Sequence, residues 1–379
     1  MKKKLIGAAV TAAISATAPS LAVATTNISA GVWASYRYVT DSDFDAPAFN
    51  SDLDSETGGD IGRESLILYG SHSQDDGPWR LSTEVRFGPG SFSDPDNNST
   101  GTYTSIHKLW VGRSFGENWD MKIGKSQVPF GWKTVNFWPG DVLQGGYGDQ
   151  MDVGVKFTGT VSGFDVAAAY FHQDDWGETS TDTIDDNGHW GSKVTNSAGE
   201  EVFTYRKTQT GVVDASYTFG KDESSSQFGL SVQGGKLQDL SDHANACATS
   251  CTDLDDGSHY AYAAYYQGEY GPFTAKAEVI RVNRDIPNVA NDVENTRYAV
   301  MGGYTVGNWF AYIDATAATT DTDGNNADTV HGLAPGVRYD YGPGWVYLEY
   351  LESNGDIDRN GDIYESDFDA MYVTMDYYF

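Results

Sequence analysis

The chain has 379 residues, with 54 Asp and Glu against 24 Lys and Arg, for a formal net charge of −30. A polypeptide this acidic has little with which to neutralise phosphates, which excludes nucleic acid as a partner. Mean hydropathy is negative although Gly (43), Tyr (24), Phe (17) and Trp (10) are plentiful, a combination that suits strands apolar on one face only.

The N-terminus opens on Lys2, Lys3 and Lys4, runs through an apolar stretch from Leu5 to Ala18, and reaches a small-x-small site at Ala22-Val23-Ala24. This pattern predicts a secretory signal over 1–24 and a mature domain over 25–379. The stretch is too short and Ala-rich for an anchor, and no later segment approaches the roughly 20 apolar residues of a spanning helix. If the exported chain spans a membrane, it does so as a closed barrel, because lipid leaves an open sheet edge unsatisfied.

From Thr25 onward a unit repeats: a strand, a short Gly/Asp/Asn/Pro turn, a second strand, and a longer acidic loop. Ile28, Ala30, Val32, Ala34 and Tyr36 alternate with Asn27, Ser29, Ser35 and Arg37, and Trp79, Leu81, Thr83, Val85 and Phe87 with Arg80, Ser82, Glu84 and Arg86. The same alternation recurs around Val153–Thr158, Phe273–Val279 and Val346–Tyr350. Short turns fall at Asp75–Pro78, Gly116–Asn118, Ser162–Gly163, Gly220–Asp222, Gly271–Pro272, Gly307–Asn308 and Gly342–Gly344. Longer loops fall near 40–61, 89–102, 127–150, 173–203, 239–258, 285–295, 320–329 and 354–367. Seven turns and eight loops join sixteen strands of an all-β, antiparallel transmembrane barrel, with fourteen and eighteen as alternative counts. In the fourth strand, regular alternation does not allow His107 and Lys108 both to face the inside.

The loop over 127–150 is rich in aromatics (Phe130, Trp132, Phe137, Trp138, Tyr147) and carries few charges, Lys133, Asp141 and Asp149. Exposing so many rings to water gains nothing, so the loop is expected to fold inward and narrow a pore, with Asp141 and Asp149 toward its axis. Folding over the mouth, or contact between copies, is the alternative. The strand pattern turns Arg37, Arg80, Arg86, Lys122 and Lys156 inward, with Lys276, Arg297 and Arg338 further round. Carboxylates facing cations make a transverse field that orders water and favours charged or dipolar solutes. The alternative is a set of solvated residues paired with Glu84, Asp120, Glu278 and Asp340.

Cys247 and Cys251, the only cysteines, form Cys-Ala-Thr-Ser-Cys in a loop of an exported chain, which predicts a small disulfide. Residues 356–367 resemble a twelve-residue calcium loop, with oxygen donors at Asp356, Asp358 and Asn360, Gly361 at the bend, a backbone carbonyl at Asp362, and Asp367 last. Asp367 stands where Glu is usual, and the run joins strands; the plainer reading is an acidic turn-rich loop. No cofactor is otherwise expected.

The last strand places Met371, Val373, Met375, Tyr377 and Phe379 on one face and Ala370, Thr374 and Asp376 on the other. It resembles the terminal strand of bacterial outer-membrane barrels, in which the final Phe belongs to the signal read by the barrel assembly machinery. The run Leu109-Trp110-Val111-Gly112, a Gly116-Glu117-Asn118 turn, Ile123-Gly124-Lys125, then Val128-Pro129-Phe130-Gly131 and Asn136-Phe137-Trp138-Pro139-Gly140 resembles the bacterial porin superfamily. The phosphate-selective and substrate-induced porins are most similar. The resemblance implies sixteen strands, a third loop folded into the pore with the basic wall residues standing opposite it, and a homotrimer in the outer membrane of a Gram-negative bacterium. It also implies contact with lipid and lipopolysaccharide, and passive diffusion of small hydrophilic solutes and ions through a water-filled channel. The chain departs from the phosphate-selective pattern in its acidity and in lacking a full ladder of arginines. Rival readings are an outer-membrane barrel enzyme of the lipase or protease type and an adhesin-like structural barrel. The histidines (His172, His189, His243, His259 and His331 among them) stand in no catalytic motif, so no enzymatic activity is expected.

Overall fold

In the computed structural model the alternating segments lie edge to edge as strands of one closed antiparallel barrel. The structure describes residues 24–43, 51–75, 77–88, 104–131, 143, 147, 150–173, 191–195, 199, 201–221, 224–240, 257–287, 289 and 291–379. Of the predicted signal, 1–24, all but Ala24 therefore lies outside the described residues.

The strands are β1 (Ala24–Ser42), β2 (Asp60–Gln74), β3 (Trp79–Phe87), β4 (Thr104–Phe115), β5 (Trp119–Gln127), β6 (Met151–Val161) and β7 (Phe164–Gln173). After a separate small hairpin of β8 (Lys193–Thr195) and β9 (Glu201–Phe203), the wall resumes with β10 (Tyr205–Lys221), β11 (Ser224–Asp239), β12 (Gly257–Tyr270) and β13 (Phe273–Asp285). It ends with β14 (Val293–Val306), β15 (Trp309–Thr320), β16 (Val330–Asp340), β17 (Trp345–Ile357) and β18 (Ile363–Tyr378). A short helix, α1 (Ser51–Thr57), follows β1. All the strands but β8 and β9 belong to the barrel, so sixteen form the wall, and each expected short turn joins the pair it was expected to join.

Closure is made by β1 against β18. At the seam the Ala30 amide donates to the Phe379 carbonyl (2.8 Å) and the Phe379 amide to the Ala30 carbonyl (2.9 Å). Phe379 thus extends the ladder, and in hydrocarbon every backbone group it satisfies would otherwise be costly. Among the described residues no helix is long and apolar enough to cross a membrane; the strands are the crossing elements.

Alternation sets the two faces. On β18 Thr374, Asp376 and Ala370 are buried toward the inside, while Met375 and Tyr377 are 49% and 42% exposed. Beside the short turns the outer face carries paired rings: Phe164 on Tyr217 (5.1 Å), Phe219 on Phe228 (5.4 Å), Phe273 on Tyr304 (4.9 Å) and Trp309 on Tyr339 (4.5 Å). Amphipathic rings at that level form the aromatic belt of a membrane–water interface.

Two sequence expectations need correction. His107 and Lys108 both face inward, because β4 carries a bulge: Glu84 pairs with Lys108 and Val85 with Ile106, leaving His107 as the extra residue. A bulge opposes two residues to one and so escapes strict alternation. His107 is 3% exposed and acts on the same Glu84 carboxylate that Lys108 reaches at 3.6 Å. Second, 354–367 is not a long loop. Gly355–Ile357 pair with Ile363–Glu365, and only Asp358–Asp362 make the turn.

Candidate channel constriction

The third long loop leaves β5 and turns inward. Val128 and Phe130, each 3% exposed, pack on Ala169, Phe171, Val212, Ala261, Ala263, Ile280 and Val282, inward side chains of β7, β10, β12 and β13. Gly131, at φ 62°, donates its amide to Ser231 Oγ (2.9 Å). Ser231 in turn donates to Asp214 Oδ2 (2.6 Å), which also accepts from the Tyr265 hydroxyl (3.1 Å). The loop has therefore crossed the lumen from the β5–β6 wall.

Further along, Leu143 is fully buried among Ala318, Val330, Ile357 and Ile363 of β15–β18. Tyr147, 1% exposed, stacks obliquely on Phe130 (5.3 Å between ring centres). Its hydroxyl accepts from Arg284 Nη2 (3.2 Å), and Lys207 Nζ and Arg297 Cζ stand 5.4 and 5.3 Å from its ring centre. The expected inward fold holds for the described part of the loop, where Phe130 and Tyr147 do the packing with Val128 and Leu143. Lys133, Asp141 and Asp149 lie outside the described residues, as do Cys247 and Cys251.

The basic side chains of the expected wall make the following contacts. Arg80 Nη2 meets Asp120 Oδ1 at 2.5 Å, with Ser114 Oγ on the same oxygen at 2.7 Å. Arg86 Nη2 meets Glu84 Oε1 at 2.8 Å. Lys122 Nζ lies 4.5 Å from the Trp110 ring centre, a cation–π contact. Lys156, 8% exposed, donates to the Gln127 carbonyl at 2.5 Å, at the root of the inward loop. Arg37, 7% exposed, faces inward from β1. On β3–β6, Arg80, Arg86, Lys108, Lys122 and Lys156 outnumber the inward carboxylates Glu84, Asp120 and Asp152 among the described residues.

Further round the wall the carboxylates come from the strands themselves. Asp214 on β10, Glu278 on β13, Asp314 on β15 and Glu349 on β17 lie on the inward face, interspersed with Lys207, Lys276, Arg297 and Arg338. Glu349 Oε1 accepts from the Tyr312 hydroxyl (2.6 Å), and Asp314 lies within electrostatic reach of both Glu349 and Lys276. Arg338 is ringed by Phe310, Trp345 and Tyr347, at 5.3, 5.8 and 6.0 Å. Sequence reasoning singled out Glu278 and put Glu349 on the polar face of its strand, but missed Asp214, Asp314 and Arg284. Strand parity turns the four carboxylates inward, yet only barrel closure shows which part of the wall they occupy.

The side chains of the twelve-residue acidic run make local contacts. Asp356 pairs across the ladder with Tyr364, and its Oδ1 accepts from the Ile357 amide (2.7 Å). Asp358 Oδ1 accepts from the Asp362 amide (2.9 Å), Asp362 Oδ1 from Asn325 Nδ2 (2.6 Å), and Asn360 Oδ1 from the Ser192 amide (3.0 Å). Asp367 lies down β18, its amide donating to Asp43 (3.1 Å). Among the described residues no group of three or more His, Cys, Asp or Glu is placed to hold a metal ion.

Comparison with known proteins gives three findings. The family model of the phosphate-selective porins O and P matches residues 40–315. No curated protein matches the chain. Solved structures with the same fold include OmpT of Vibrio cholerae, at 14% identity over 96% of this chain and 100% of that one, with a TM-score of 0.59. They also include the outer-membrane channel DcaP of Acinetobacter baumannii (15%, 94% and 97%, 0.59) and an anion-selective porin from Comamonas acidovorans (12%, 94% and 100%, 0.54).

Proposed function

The chain belongs to the family of phosphate-selective porins O and P, and from that premise we propose how its lumen sorts solutes. It is an outer-membrane porin, a β-barrel channel for passive diffusion of small hydrophilic solutes. Its selectivity comes from a transverse field between the basic side chains of β3–β6 and the carboxylates of β10–β17. The observation that carries this is the inward crossing of the third loop, with Gly131 on Ser231 and Leu143 among β15–β18. A loop across the lumen forces solutes past both charged walls.

Arg37, Arg80, Arg86, Lys122 and Lys156 supply the positive side, and Lys133, Asp141 and Asp149 act from the loop. Because carboxylates face the cations, the channel filters ions and dipolar solutes of both signs and holds no steep phosphate preference. It works as a channel and not as an enzyme, without a cofactor. It assembles as a homotrimer; OmpT of Vibrio cholerae has been solved in a trimer form. Lipid and lipopolysaccharide surround it once the barrel assembly machinery has inserted it.

Reversal potentials in a salt gradient test the field. Replacing Asp141 and Asp149 by Asn shifts selectivity toward anions, and more so at low ionic strength, where screening is weak. No shift at low salt removes the loop carboxylates from the constriction.

A further inference from the structure

The β17–β18 hairpin does not simply extend the wall; its tip lies across the long-loop mouth. The Gly361 carbonyl accepts from Asn295 Nδ2 of β14 (2.6 Å). The Arg359 carbonyl accepts from the Tyr205 hydroxyl of β10 (3.1 Å) and from Arg284 Nη1 of β13 (3.3 Å). None of β10, β13 and β14 is a neighbour of β17 or β18 in the barrel. The Arg359 guanidinium also sits 5.5 Å from the Phe203 ring centre of the β8–β9 hairpin, and Asn360 Oδ1 takes the Ser192 amide.

Arg284 stands at the centre of these contacts and is 0% exposed. One terminal nitrogen reaches Tyr205 (3.4 Å) and the hairpin carbonyl, and the other reaches Tyr147 of the inward loop. A planar guanidinium can serve acceptors on three separate elements at once, which a lysine ammonium cannot match in one plane. The fit is close on the hairpin side: at Gly361, φ 90°, a β-carbon would lie 2.7 Å from Arg284 Nη1. Beneath, Ile357 and Ile363 of the hairpin close on Leu143, and Leu237, Ile286 and Val293 close on Tyr205.

We propose that Arg284 is a positioning residue, a clasp holding the β17–β18 hairpin and the inward loop together across the outer mouth. It closes the β10–β18 side of that mouth. The proposal rests on the channel reading and adds to it a determinant of pore size distinct from the determinants of charge selectivity.

The test uses full-length protein in planar bilayers and in liposomes swollen with sugars of increasing size. Arg284→Gln is expected to raise single-channel conductance and to admit larger sugars. Arg284→Lys should resemble Arg284→Gln. Should Arg284→Gln fail to form a barrel, the Tyr205→Phe, Asn295→Ala pair removes two polar anchors of the hairpin and leaves the arginine in place; it should raise conductance and cut-off in the same direction. Folded variants with wild-type conductance and cut-off would overturn the clasp while leaving the porin intact. Wild-type protein without conductance would instead remove the channel reading, and the clasp with it.

Discussion

Gly131 approaches Glu278 so closely that a β-carbon on the glycine would lie 2.1 Å from Oε1 of the carboxylate. Its φ of 62° is a conformation that L-residues avoid. Both demands fall on the residue where the inward loop touches the far wall, so this one contact fixes how far the loop reaches.

Gly131→Ala is therefore expected to push the loop off the β13 wall toward the axis. The backbone strain alone costs about 1–2 kcal/mol. Single-channel conductance should fall and the barrel should unfold at a lower temperature on heated gels. Conductance and unfolding temperature equal to wild type would mean that the loop is not pinned here.

The two charged walls give paired predictions of opposite sign. Replacing Arg80 and Lys122 by Gln removes positive charge from β3–β6 and should move the reversal potential toward cations. Replacing Asp314 by Asn and Glu349 by Gln should move it toward anions. Both shifts should shrink as salt rises and the screening length falls from about 30 Å at 0.01 M to about 3 Å at 1 M. Shifts of the same sign would rule out a transverse field.

Deleting Phe379 removes both hydrogen bonds that join it to Ala30 at the seam. The expected result is a low yield of folded, membrane-inserted barrel, read as loss of the fast-migrating unheated gel band. A normal yield would show that closure needs only the rest of β18.

Trimer formation is measured on detergent-solubilised protein. A mass of three chains and an oligomeric band on unheated gels are expected, and a single-chain mass in every mild detergent would refute the trimer.

Much of the fold was legible because its determinants are local. Gly116, Gly163, Gly271 and Gly307 mark turns by their positive φ, and Gly, Asp and Pro clusters are visible in any sequence. One-residue alternation exposed Arg80, Arg86, Lys122 and Lys156 as inward side chains. The bulge at His107 was not legible, since an inserted residue has no compositional mark. The eighth loop was misjudged because its acidic residues read as solvated, whereas Ile357 and Ile363 pair across the hairpin and bury against Leu143. Arg284 escaped notice because it lies at the end of a strand, beside a loop without a motif. Its role depends on Tyr147, Tyr205 and Arg359, which meet only after closure.

The central claim, a water-filled pore crossed by an inward loop and lined by opposed charges, is tested most directly by planar-bilayer recording of the purified protein in a salt gradient. The account predicts stepwise conductance increments of uniform size, with a reversal potential that Arg80→Gln, Lys122→Gln moves toward cations. Inserted protein that gives no conductance steps would contradict it.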